Sequence, residues 1–243
     1  MKLGFIEIDK LMLHECTEEI RFNNLKTKIE EEKIQKNPII VTKVDDYYLV
    51  LDGAHRYSCI KSLNYKYILC QIVNSEEYYI DTWNHIISKN DYSNYIQPLL
   101  ENEEYKDLNF KKDKNTIKIN VNSEEMSYEL LNRYTKFVDF LNKCASFKRI
   151  HNEEYCSDSV KIMYPEVNKD LIKLLVNKNT RIPAGISKVN LKCGRILGVS
   201  IPLFLLNENS FHKSYIDKIM KNLRKYEETI HLYEGMLLEY EIK

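Results

Sequence analysis

The residues best suited to chemistry sit together in LDGAHRY, Leu51 to Tyr57. The apolar run before it reads as a buried strand, and the residues after it read as a helix. Asp52 therefore stands at a strand end, Gly53 at a turn, and His55 and Arg56 in the first turn of a helix. Glycine permits the sharp turn. The unpaired N–H groups of a helix's first turn, with its positive dipole end, attract anions. The Arg56 guanidinium adds a forked donor for phosphate oxygens. Asp52 is placed to hold Mg²⁺ bridging such oxygens. The chemistry this predicts is a phosphate and metal cradle. A plain strand–turn–helix, with Asp52 only capping the helix, has the same local pattern.

Those residues need a scaffold, and the first 75 positions provide one. Phe5 to Ile8 reads as a strand and Thr17 to Glu32 as a helix with Ile20, Leu25 and Ile29 on one stripe. Pro38 to Leu51 reads as a hairpin turning at Asp45-Asp46, followed by a helix ending near Asn64 and a strand from Lys66 to Val73. That order makes a compact α/β unit. Ser75, followed by Glu76 and Glu77, predicts a helix over 75–90. The polar stretch 89–115 suggests a domain boundary, dividing the chain into 1–90 and an α+β domain over 91–243. Within the latter the pattern predicts strands over Thr116–Val121, Val160–Tyr164, Ile186–Leu191, Ile196–Ile201 and Thr229–Leu238. It predicts helices over Ser123–Asn142, Asn168–Val176 and Phe211–Tyr226.

Composition narrows the class. With 243 residues the chain can bury a core without staples. Lys+Arg and Asp+Glu are both 36, so the formal net charge is zero. That balance argues against a strongly basic nucleic-acid binder. The longest apolar run, Ile196 to Leu206, is broken by Ser200 and Pro202 and is too short to span a membrane. Glu7 and Asp9 interrupt any signal-peptide core. The six cysteines show no metal spacing, so a cytoplasmic protein without a disulfide framework is expected.

The DGAHR motif after a hairpin strand resembles the ParB/sulfiredoxin superfamily. Sulfiredoxins carry a catalytic cysteine before the His-Arg pair, where this chain has Ala54. Chromosome-partition members carry an arginine-rich motif and a helix-turn-helix, neither of which follows Val73. The resemblance is closest to free L-serine kinases, in particular the serine kinase of the staphyloferrin B siderophore cluster. It rests on LHE (Leu13 to Glu15), NPIIVTK with YYLVLDGAHRYSCIKSL, TWNH (Thr82 to His85), IPAGISKVN and CGRILGVSIPLFLL, in that order.

This resemblance implies phosphorylation of free L-serine to O-phospho-L-serine with ATP or ADP and Mg²⁺. Glu15 would be the general base, and Asp52 would act on the metal or the hydroxyl. Gly53, Ala54, His55 and Arg56 would hold the nucleotide phosphates. Trp83, His85, Ser187, Lys188 and Arg195 would contact the serine, the C-terminal domain completing that site. The family has Thr-Arg where this chain has Ser187-Lys188, so the charge remains but the guanidinium fork does not. His14, next to Glu15, either orients it or is a simple loop residue. The product would feed siderophore 2,3-diaminopropionate or cysteine synthesis. A nucleotide-binding regulator without catalysis is the alternative reading, and Glu15 in its LHE setting speaks against it.

Overall fold

Runs of β-branched residues bounded by turn residues build the sheets of this protein. The computed structural model describes residues 2–121, 127–150 and 158–223. In chain order the strands and helices begin with β1 (Lys2–Glu7), β2 (Leu11–Leu13), α1 (Glu19–Glu32), β3 (Ile34–Lys36), β4 (Ile39–Val44), β5 (Tyr47–Asp52), α2 (Ala54–Ser62) and β6 (Tyr67–Val73). They continue with β7 (Tyr78–Thr82), β8 (Asn84–Ser88), the short α3 (Lys89–Asp91) and α4 (Gln97–Leu100), β9 (Phe110–Asp113), β10 (Thr116–Ile119) and α5 (Tyr128–Cys144). The last are β11 (Phe147–Ile150), β12 (Ser159–Met163), α6 (Lys169–Asn177), β13 (Ser187–Leu191), β14 (Ser200–Pro202) and α7 (His212–Asn222).

The chain forms two units. Of the described residues, the first gathers those up to Met12, Glu19–Glu77 and those from Cys193 on; the second gathers Leu13–Glu18 and those from Tyr78 to Lys192. Residue 90, where composition suggested a boundary, lies within the second unit.

The first unit is built on a sheet of order β1-β6-β4-β5-β2. β4 and β5 form the expected antiparallel hairpin, and β4 runs parallel to β6. Ile39, Ile40, Ile68 and Leu69 are fully buried in this sheet, and Ile60 of α2 joins them. β14 pairs with β3. Of the expected strand Ile196–Ile201, only its end is extended, because Gly198 adopts a left-handed φ of +74°.

The second unit has a sheet of order β11-β8-β12-β10-β9 and a two-stranded pair, β13 with β7. The helix expected over 75–90 is not there. A 3₁₀ turn covers Ser75–Glu77, and β7 and β8 follow. Tyr78, Thr82, Asn84 and His85 are buried, and the aromatic and β-branched content of this stretch favours strand. The polar stretch after β8 also contributes to the core through Tyr92, Ile96, Tyr105 and Leu108. α5 starts at Ser127, whose side chain accepts from the Leu130 N–H at 3.2 Å. It sets Phe137 against Tyr105 and Phe110. The strand expected over Thr229–Leu238 and the end of the preceding helix lie outside the described residues. Among the described residues no helix is long and apolar enough to cross a membrane.

Candidate active site

The residues singled out by the motifs fall into two clusters, one in each unit. In the first unit, β5 ends at Asp52 and α2 begins at Ala54. Gly53 joins them at φ +96°, and a Cβ there would stand 2.6 Å from Ile39 Cγ2. Only glycine fits both the backbone angle and the space. The N-cap residue Gly53 makes no side-chain cap bond, and the positive end of the α2 dipole lies at this turn.

Two arginines flank Asp52. Arg195 hydrogen-bonds its Oδ2, and Arg56 Nη2 stands 3.7 Å from the same oxygen. Burial raises the Asp52 pKa, but the two guanidinium charges, with hydrogen bonds from Arg195 and the Gly53 N–H, outweigh it and hold the carboxyl below its ordinary range. Arg56 was expected on phosphate oxygens. Its Nη1 donates to the carbonyls of Asn37 at 3.0 Å and Pro38 at 2.9 Å. Burial lowers its pKa, against the opposing effect of Asp52. Arg195, expected at the serine, stands beside the DGAHR loop.

Mg²⁺ in phosphoryl-transfer sites takes one or two protein carboxylates while substrate phosphates and water complete its shell. Asp52 is the one carboxylate at this loop and is held ionised. The loop thus fits an ion carried in by nucleotide phosphates. Among the described residues no three His, Cys, Asp or Glu side chains gather as a metal site.

In the second unit, the segment carrying Glu15 is tied to Ile182. The Cys16 N–H donates to the Ile182 carbonyl at 2.9 Å, and the Ile182 N–H donates to the His14 carbonyl at 2.9 Å. Pro183-Ala184-Gly185 then brings two donors to the carboxylate. The Gly185 N–H bonds Glu15 Oε1, and the Ser187 hydroxyl bonds Oε2. Ser187 Oγ is also 2.9 Å from Nε2 of the buried His14. Serine has one proton, and it goes to Glu15, so His14 must donate from Nε2. Ser187, expected to contact the substrate, thus also donates to the Glu15 carboxylate.

Lys188 places its ammonium 4.3 Å from the Trp83 ring centroid, a cation–π contact. The Trp83 N–H donates to the Ile186 carbonyl at 2.9 Å. These two expected substrate contacts are therefore neighbours. His85, expected at the serine, is 0 % exposed. It stacks on Phe147 with ring centroids 4.1 Å apart, and its Nδ1 is 2.8 Å from the Tyr164 hydroxyl. Burial, aided by the Arg149 charge, pushes its pKa down to about 3. It is a core residue, drawn inward because β8 alternates between two packed faces. Arg149, which the motifs did not single out, lies over Gly185, where any Cβ would collide with its guanidinium. It also pairs with Glu18 at 3.5 Å.

No protein-family model matches the chain. Over 96% of its length it is 26% identical to ATP-dependent L-serine kinase SbnI of Staphylococcus aureus, covering 97% of that protein. Over 82 residues, 32% of each chain, it is 39% identical to an ATP-dependent L-serine kinase of Desulfurococcus mucosus. Its fold matches that of SbnI with a C-terminal truncation, with a TM-score of 0.73 and 24% identity over 90% of this chain and 95% of that one. It also matches a free serine kinase in complex with AMP, with a TM-score of 0.64 and 17% identity over 85% and 95% of the two chains. This α/β chain is thus similar in sequence to ATP-dependent L-serine kinases, over nearly its whole length in one case, and similar in fold to SbnI and to a free serine kinase.

Proposed function

We propose that this protein is a free L-serine kinase that transfers the terminal phosphoryl group of ATP to the serine hydroxyl, giving O-phospho-L-serine and ADP. The observation that carries the reading is the Glu15 carboxylate, fixed by the Gly185 N–H and the Ser187 hydroxyl. Similarity to the serine kinases over nearly the whole chain supports it.

A serine hydroxyl is a poor nucleophile at neutral pH, and a positioned base typically contributes about 10²–10⁴-fold. Glu15 takes the hydroxyl proton as the oxygen bonds to the terminal phosphorus. The bond from that phosphorus to the bridging oxygen breaks, and ADP leaves with the electron pair. Gly53, Ala54 and His55 at the α2 N-terminus receive the phosphates. Phosphoryl transfer depends mainly on positioning and charge neutralisation, which a helix N-terminus and cations provide. Mg²⁺ carried by the nucleotide, with Asp52 as its protein ligand, would supply further neutralisation. Lys188 and Trp83 are the contacts proposed for the amino acid.

Esterification turns the serine oxygen into a good leaving group. The product suits reactions that replace it, such as those leading to 2,3-diaminopropionate or cysteine, in the cytoplasm.

Phosphorus NMR of the protein with Mg²⁺, L-serine and either ATP or ADP tests the reading. An O-phosphoserine signal that disappears in Glu15→Ala and Asp52→Ala is expected, with ATP as donor. Nucleotide binding without any such signal from either donor would sink it and leave a nucleotide-binding regulator.

A further inference from the structure

The two arginines beside Asp52 are in unlike situations. Arg56 has its Nη1 committed to backbone carbonyls before β4, and its side chain is 22% exposed. Arg195 is 32% exposed, and among the described residues its polar partner is Asp52. A guanidinium has five N–H donors, so Arg195 retains several for a ligand. Two guanidinium groups against one carboxylate leave an excess positive charge at the loop, and a phosphate chain complements it.

The segment bearing Arg195 is held by a residue with no other evident task. Gln71 lies in β6 and is 0% exposed. Its Nε2 donates to the Gly194 carbonyl at 2.8 Å, and its Oε1 accepts from the Ile196 N–H at 2.9 Å. One side-chain amide thus grips the peptide groups on both sides of Arg195. Gln71 pairs with Ile40 of β4, and Ile40 pairs with Asp52 of β5. Paired residues of adjacent strands project from the same face. Arg195 is therefore held twice, by its backbone through Gln71 and by its guanidinium through Asp52.

We infer that Arg195, rather than Arg56, is the arginine that binds the nucleotide's phosphates, that Gln71 is its positioning residue, and that Arg56 braces the loop. This rests on the nucleotide-dependent kinase reading above. A buried glutamine in the middle of a sheet is costly unless both ends of its amide are satisfied, and here both are satisfied by the Arg195 segment.

Titration calorimetry with ATP in the absence of serine tests the assignment on the full chain. Arg195→Ala is expected to weaken binding roughly ten- to hundredfold, as for loss of a charged hydrogen-bonding group. Arg195→Lys should recover part of it. Gln71→Met, which keeps the volume, should raise the KM for nucleotide several-fold and leave the KM for serine in place. Unaltered ATP affinity in Arg195→Ala overturns the assignment. A Gln71→Met protein with lowered melting temperature and kcat but an unchanged nucleotide KM overturns the positioning role. Wild-type protein that binds ATP yet makes no O-phosphoserine sinks only the kinase reading, since the calorimetry still decides between the two arginines. Wild-type protein that binds no nucleotide overturns both.

Discussion

Ser187 donates a hydroxyl hydrogen bond to Glu15, a residue 172 positions earlier in the chain. The bond fixes one carboxylate oxygen while Gly185 fixes the other. Ser187→Ala should lower kcat by about tenfold, the effect of one lost hydrogen bond to a charged group. Ser187→Thr, which keeps the hydroxyl, should retain most activity. Steady-state kinetics checks this, and equal losses in the two variants would refute an orienting role for the hydroxyl.

The conformation of Gly53 sets a second expectation. Gly53→Ala places a side chain at φ +96°, 2.6 Å from Ile39 Cγ2. The backbone alone costs about 1–2 kcal/mol, and the overlap adds to it. Denaturant unfolding should show at least that loss, with weaker nucleotide binding in the fraction that remains folded.

Arg56 should behave chiefly as a structural residue. Arg56→Leu leaves the Asn37 and Pro38 carbonyls without their donor, at a cost of roughly 1–3 kcal/mol. For a chain of this size that is about 2–4 °C of melting temperature per kcal/mol. A variant melting with the wild type would contradict the brace.

His85 sets a pH dependence. Its folded pKa is pushed down to about 3 from an ordinary 6.5. Between those values the unfolded chain binds a proton that the folded chain refuses. Stability is then full above about pH 6.5 and falls as the pH drops toward 3, by up to about 1.4 kcal/mol per pH unit. His85→Phe should show a shallower decline of melting temperature between pH 7 and 5. Parallel declines would place the acid sensitivity elsewhere.

The hairpin β4–β5, α2 and β6 were legible because their apolar runs are bounded by Pro38, Asp45-Asp46 and Asp52-Gly53. The stretch Tyr78–Ser88 was not, because Asp81, Thr82, Asn84 and His85 mask its alternation and the acidic pair after Ser75 imitates a helix start. Strands as short as Leu11–Leu13 and Ile34–Lys36 offer too few positions for any period. In the candidate site, local motifs marked Glu15, Asp52 and Gly53. Nothing local could mark the partnership of Gln71 with Gly194 and Ile196, or of Arg149 with Gly185, because the chain alone does not show which distant residues meet.

The path of the chain also bears on how the protein is made. The sheet of the first unit is finished early in synthesis, but β14, the Gln71-held segment and α7 emerge only after the whole second unit. Leu13–Glu18, by contrast, leaves the ribosome long before Ile182, to which it is tied. Domains usually fold in order as they appear, at about 5–20 residues per second. Here neither unit can complete itself in that way, and no single cut of the gene yields either one whole.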